Sequence, residues 1–214
     1  MASGEQLRKS WIANASVWSD TVRAQKIESR RVATDAAILD AITSCNPRDV
    51  LDLGCGEGWL ARALSERGCS VIGVDASPAL IEAAQKLGGG TFRVLPYEEL
   101  ATLATQFDVI AANFSLLDHN LHLDALRALL RPGGTLIVQT VHPAFAGEPY
   151  ADGWRVETFA SMEGEWPEPM PWYFRTVSSW VNAFTAGGFT LRELREPLHP
   201  ETQRPLSLVL MLTL

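Results

Sequence analysis

Three glycines stand at alternate positions in LDLGCGEGWL, Gly54, Gly56 and Gly58, directly after a short apolar run. Glycine has no Cβ, so such a loop lets a ligand come close to the backbone. Asp75 ends a second apolar run about twenty residues further on, where a carboxylate accepts hydrogen bonds from a ribose diol. A dinucleotide fingerprint reads G-x-G-x-x-G. Here the third glycine comes one residue early, and Glu57 sits inside the loop. A carboxylate beside a pyrophosphate at a helix N-terminus is unfavourable, so the pattern predicts a ligand with no phosphate near this loop. Ser77 suits the N-cap of the following helix, which leaves Asp75 for the ribose. Asp52 lies within the first run, where burial is costly without a hydrogen bond. Loop amides, a ligand ammonium or a purely structural contact would each meet that need.

Few residues could move a proton. His142 closes the fifth predicted strand, and Asp118 and His119 follow the fourth. HNLH (119–122) has an i, i+3 spacing, but two histidines without a carboxylate or cysteine partner make a poor metal site, and no metal is expected. Cys45, Cys55 and Cys69 are scattered with no CxxC, so neither a disulfide framework nor a zinc knuckle is implied.

The elements that must position these residues alternate. Residues 5–43 read as helical, with Trp11 and Trp18 bulky for a solvated face. Then come a buried strand (Val50–Leu53), a helix (Trp59–Arg67), a strand (Val71–Val74) and a helix from Pro78 to the Gly88 stop. A strand (Thr91–Leu95), a short helix (Glu98–Thr105), a strand (Phe107–Ala112) and a helix (Asp118–Leu130) follow, and RPGG turns into a strand at Thr135–Val141. This alternation implies right-handed βαβ crossovers and a mostly parallel sheet. Residues 143–172 are rich in Pro, Gly, Glu and Trp without a period, which reads as a functional loop. A helix (Thr176–Ala186) and two strands (Phe189–Leu194, Leu206–Leu214) finish the chain antiparallel.

The 214 residues fit one domain, and the formal net charge of −7 disfavours a nucleic-acid partner. The opening MASGEQLRKSW has no long apolar run, and no stretch approaches the ~18 apolar residues of a membrane span, so a cytoplasmic protein without a membrane partner is expected. Oligomeric state has no signature here.

VLDLGCGEGWLARAL, VIGVDAS and LLRPGGTLIV together resemble class I S-adenosylmethionine-dependent methyltransferases over roughly residues 48–142. The resemblance implies an α/β fold with a Rossmann-like doubly wound seven-stranded sheet, an antiparallel last strand and an N-terminal helical lid. The expected organisation is one domain over 1–214: a cap (1–45), a cofactor-binding core (48–142), a substrate loop (143–175) and a C-terminal helix with strands (176–214).

The resemblance also implies site residues. Asp52, Gly54, Cys55, Gly56 and Gly58 line the methionine part of S-adenosylmethionine, Asp75 holds the ribose and Ala76 lies against the adenine. The family's acidic residue after strand three is replaced by Pro96, so Tyr97 would flank the ring and Glu98 or a backbone carbonyl would meet its amine. Asn113, Phe114 and Ser115 lie under the sulfonium. The Asn/Asp-Pro-Pro-aromatic stretch of nucleobase amino-methylating enzymes is missing. Trp11 and Trp18 cover the cofactor, and Arg30 or Arg31 reaches its carboxylate.

WYFR (172–175) resembles the stretch that walls the acceptor in small-molecule members, with Trp172, Tyr173 and Arg175 as candidates, although Trp172 and Phe174 also read as packing for the last helix. Methyl transfer is an in-line displacement, so a base (His142, His119 or Tyr173) is needed only for a protonated acceptor. The expected product is S-adenosylhomocysteine and the expected acceptor a small molecule, with oxygen favoured. The competing readings are an NAD-dependent oxidoreductase and a non-catalytic cofactor-binding module.

Overall fold

The computed structural model describes residues 3–214. Its apolar runs without alternation become strands buried on both faces, as a parallel sheet between helical layers requires. The strands are β1 (Asp49–Leu53), β2 (Ser70–Asp75), β3 (Thr91–Val94), β4 (Phe107–Asn113), β5 (Leu130–Val141), β6 (Gly153–Glu157), β7 (Met170–Phe174), β8 (Thr190–Arg195) and β9 (Ser207–Thr213). Seven of them form one sheet in the order β3-β2-β1-β4-β5-β9-β8. β1 to β5 are parallel, and β9 is antiparallel to both its neighbours. The expected doubly wound sheet with an antiparallel last strand is thus the observed one.

Successive strand residues point to opposite faces, so each strand feeds two cores. Val50, Val109, Ile137 and Val209 face α2 (Asp35–Ser44), α3 (Trp59–Ser65) and α4 (Pro78–Leu87), meeting Ile38, Leu60 and Ile81. Leu51, Ile110, Leu136 and Leu210 face α5 (Leu123–Leu129) and α6 (Val177–Ala186), meeting Leu126 and Phe184. A third, smaller cluster joins Leu7 and Trp11 of α1 (Gly4–Arg23) to Leu117, Phe159 and Met170.

Three elements differ from expectation. The single helix over 5–43 is broken: α1 ends at Arg23, Gln25 takes φ 50°, and a π-helical turn (Arg30–Thr34) leads into α2. No glycine or proline marks the break. Its cause is tertiary, because Leu7 and Trp11 pack above the carboxyl edge of the sheet while Ile38 and Ile42 pack on its face. One straight helix cannot reach both. The helix expected from Asp118 begins only at Leu123, since the Asp118 and Asn120 side chains accept the Asn120 and His122 N–H groups and hold 118–122 in turns. Residues 143–172 are not a structureless loop. β6 and β7 form a two-stranded antiparallel ribbon, with Pro171 tolerated because the ribbon has edges on both sides. Among the described residues no helix is long and apolar enough to cross a membrane.

Gly58 enters α3 at φ +84°, and a Cβ there would lie 2.9 Å from Phe92 Cζ and 3.0 Å from Ala84 Cβ. Gly58→Ala should therefore destabilise the protein by about 1–3 kcal/mol through a left-handed alanine and a clash. Adding Phe92→Leu should recover part of the loss in thermal unfolding; no recovery would remove the packing role.

Candidate active site

A cavity of about 580 Å³ opens at the carboxyl ends of β1, β2 and β4, where open α/β sheets bind ligands. Its floor is Gly54, Cys55 and Gly56 after β1, Asp75, Ala76 and Ser77 after β2, and Asn113, Phe114 and Ser115 after β4. Tyr97 and Glu98 form one side, and Trp18, Arg30 and Trp59 another.

The glycine loop is held from below. Asp75 accepts the Gly56 N–H at 3.1 Å on one carboxylate oxygen and the Ser77 N–H at 2.8 Å on the other. Ser77 makes no side-chain cap bond, and its buried hydroxyl has no protein partner. The expected division of labour is corrected here: Asp75 itself ties down the start of α4, and still lines the cavity. Gly54 is pressed between side chains, since an added Cβ would lie 2.4 Å from Ser115 Cβ and 2.5 Å from the Tyr97 hydroxyl. Gly56 is looser, with Trp18 Nε1 3.6 Å from its added Cβ; it leaves a cradle between loop and roof. Gly58 does not line the cavity, and its small size serves helix packing. Asp52 is buried beneath the loop and also stays off the cavity wall.

Glu57 does line the cavity, but its charge is answered. Arg62 binds it with Nη2–Oε2 at 2.5 Å while Nη1 donates to the Glu57 carbonyl. The carboxylate that counted against a phosphate from sequence thus carries a partner four positions beyond the last glycine. Arg30 stacks 4.6 Å over Trp59 and donates to Asp35 at 2.9 Å, so the Asp35 carboxylate moderates its charge at the cavity edge. Arg31 is exposed and off the wall.

The roof is aromatic. Trp11 meets Trp18 edge-on at 5.0 Å, Trp18 meets Trp166 at 6.4 Å, and Phe159 stacks on Trp166 at 4.1 Å. Buried Asn14 fastens the two roof segments, donating to the Glu168 carbonyl at 2.7 Å and accepting its N–H at 3.3 Å. Gly4 rests on Asp118, whose carboxylate would collide with any Cβ there.

Five further expected residues, those expected for the acceptor and its proton, are not brought to this cavity either. His142 is buried against Phe145 and pairs with Glu196 at 2.8 Å, because the chain turns away after β5. His119 is exposed and packs edge-on to Tyr173 at 4.7 Å. Tyr173 and Trp172 stand on the ribbon, facing Trp154 and Phe174. Arg175 is buried and donates to the Asp118 carbonyl at 2.9 Å and to that of His119, so it shapes the 118–122 turn. The residues at that end of the cavity are Asp118, His122, Leu117 and Met170. HNLH held the signal for His122, but the helix expected there would have put it beside His119. The turns separate the two.

A second concavity of about 650 Å³ lies at the opposite end of the sheet, among Cys45, Arg48, Asp108, Arg131 and Arg192. Arg131 there is bridged to Asp49 and Asp108 at 2.8 and 2.7 Å. It reaches none of the glycine-loop residues. Among the described residues no cluster could hold a metal ion.

The model of the "Methyltransferase domain" family matches residues 27–194. An uncharacterized protein of Haemophilus influenzae is 28% identical over 207 residues, covering 83% of this chain and 81% of its own. A ubiquinone biosynthesis O-methyltransferase of Brucella ovis is 36% identical over 101 residues, 43% of this chain and 40% of its own length. An S-adenosylmethionine dependent methyltransferase from Mesorhizobium loti superposes with a TM-score of 0.59 at 24% identity, over 78% of this chain and 90% of that one. The glycopeptide N-methyltransferase MtfA complexed with (S)-adenosyl-L-methionine gives 0.65 at 14% identity, over 83% and 92%. These two likenesses speak for the fold.

The floor is electrostatically unusual. Burial, chiefly, pushes the Asp52 carboxyl from 3.8 up to about 7, with the Asp75 and Glu57 charges adding and the Ala61 N–H opposing. Burial also raises Asp75, against the amides of Ser77, Gly56 and Ala76. Burial keeps Tyr97 and Cys55 protonated. An unfolded Asp52 ionises near 3.8 while the folded one keeps its proton to about 7, so this group makes stability fall as pH rises across that window. Asp52→Asn stays neutral throughout. Its melting temperature relative to the unaltered protein should therefore rise from pH 4 to pH 7; a difference independent of pH would refute the shift.

Proposed function

The chain belongs to the methyltransferase domain family, and from that membership we propose that it transfers a methyl group from S-adenosylmethionine to a small-molecule acceptor. The observation that carries the reading is the half-buried Asp75 carboxylate at the cavity floor, joined to a glycine loop whose Gly56 leaves room beneath Trp18. A nucleoside fits that pairing. Each Asp75 oxygen accepts one amide and keeps a lone pair for a ribose hydroxyl. Ala76, Tyr97 and Glu98 would flank the adenine, and Gly54, Cys55, Gly56 and Arg30 would meet the amino-acid end. Asp52 acts from beneath the loop, and Gly58 through packing.

When bound, this cofactor supplies a methyl group already activated on a sulfonium. The protein's own part is to bind, align and exclude water. Trp11, Trp18, Phe159 and Trp166 keep the cavity dry, and Phe114 and Ser115 complete its floor beside Asn113. His122 and Asp118 are the groups placed to hold an acceptor's proton, in place of His142, His119 and Tyr173. The O-methylation named for the Brucella relative supports an oxygen acceptor. The net charge of −7 supports a small molecule over a nucleic acid.

Titration calorimetry should give binding of S-adenosylhomocysteine and none of NAD(H). Asp75→Ala should weaken that binding by about 1.5–3 kcal/mol, the scale of hydrogen bonds to a charged group. Binding of NAD(H) alone would replace this reading with hydride transfer.

A further inference from the structure

Gln139 sits near the end of β5, beside Asn113 in the β4–β5 register, and is 1% exposed. Its Nε2 donates to the Thr34 carbonyl at 2.9 Å and to Asn113 Oδ1 at 3.0 Å. The orientation of both amides follows from the Thr34 carbonyl. A backbone carbonyl can only accept, so the Gln139 end that meets it must be the NH2. The second hydrogen of that NH2 then requires an oxygen on Asn113. Asn113 lines the cavity, and with Oδ1 engaged by β5 the end left for the cavity is Nδ2, a donor.

Thr34 closes the π-helical turn that Arg30 opens, and Arg30 lines the same cavity. One buried side chain therefore touches both the turn carrying a guanidinium and the residue presenting an amide N–H. π-helical turns inside helices are frequent at functional sites. Two donors on one cavity suit an anion with two oxygens.

Resting on the methyltransferase reading, we infer that Gln139 is a positioning residue that turns the Asn113 amide so that Nδ2 and the Arg30 guanidinium together receive the α-carboxylate of the cofactor. Gln139 itself touches no ligand. Its remaining oxygen is buried without a protein partner, which makes its two donated bonds its whole contribution at the site.

The test compares S-adenosylhomocysteine with methylthioadenosine, which keeps the nucleoside and thioether but has no amino-acid carboxylate. In calorimetry, Gln139→Met and Asn113→Ala should each weaken S-adenosylhomocysteine by about tenfold, as loss of a supporting contact does. The double variant should be no weaker than either single, and methylthioadenosine should bind Gln139→Met as it binds the unaltered protein. That unchanged affinity also reports an intact site. Asn113→Asp, half-buried and so independent of core packing, keeps the bond from Gln139 but turns an oxygen to the cavity; it should lose more than Asn113→Ala, again for S-adenosylhomocysteine alone. Equal losses for both ligands, additive losses in the double variant, or an unchanged Gln139→Met would overturn the inference. Failure of both ligands to bind the unaltered protein would overturn the methyltransferase reading with it.

Discussion

The site depends on one half-buried carboxylate. Asp75 ends β2 and accepts amide hydrogens from the loops that follow both β1 and β2. Without it two neighbouring turns would present unpaired N–H groups to an apolar floor. With it they are locked at a fixed separation, and Gly56 is held below the roof. The arrangement has a cost, because burial pushes this carboxyl and the neighbouring Asp52 toward their protonated forms. A floor so short of compensating cations suits a ligand that brings positive charge and hydroxyl donors.

The roof is built on a different principle. α1 and residues 159–170 meet edge-on through Trp18 and Trp166, the latter stacked on Phe159, with the Asn14 side chain bonded to the Glu168 backbone as their polar fastening. It belongs to the smallest of the three apolar clusters and shares few residues with the sheet. Regions with little buried apolar contact open at lower free energy than cores. The roof is thus the part of the molecule suited to admit ligands while the floor stays fixed.

Much of this was legible in the sequence because the determinants are local. The runs at 50–53, 71–74 and 107–112 have no alternation, and Ser77-Pro78 and Gly88 punctuate α4 at both ends. The floor of the cavity was readable for the same reason, since Gly54, Gly56 and Asp75 stand at fixed offsets from strand ends. Its far end was not. His142 and His119 stand where strand ends point, yet Glu196 claims one and Tyr173 the other from distant parts of the chain. Residues 153–174 hid a ribbon because proline and glutamate obscure alternation in strands of five residues. Gln139 looked like one more strand residue until its neighbour across the sheet was known.

The sheet's strand order has a consequence for how the molecule is made. β8 is paired with β9 alone, and β9 lies between it and β5. The edge strand of residues 190–195 therefore has no sheet to join until residues 207–213 have left the ribosome and inserted antiparallel against β5. The five parallel strands can assemble earlier, with the apolar β5 edge uncovered in the meantime. An unpaired apolar edge is a template for other chains, so β9, the strand that covers β5, acts as the seal on the nascent sheet.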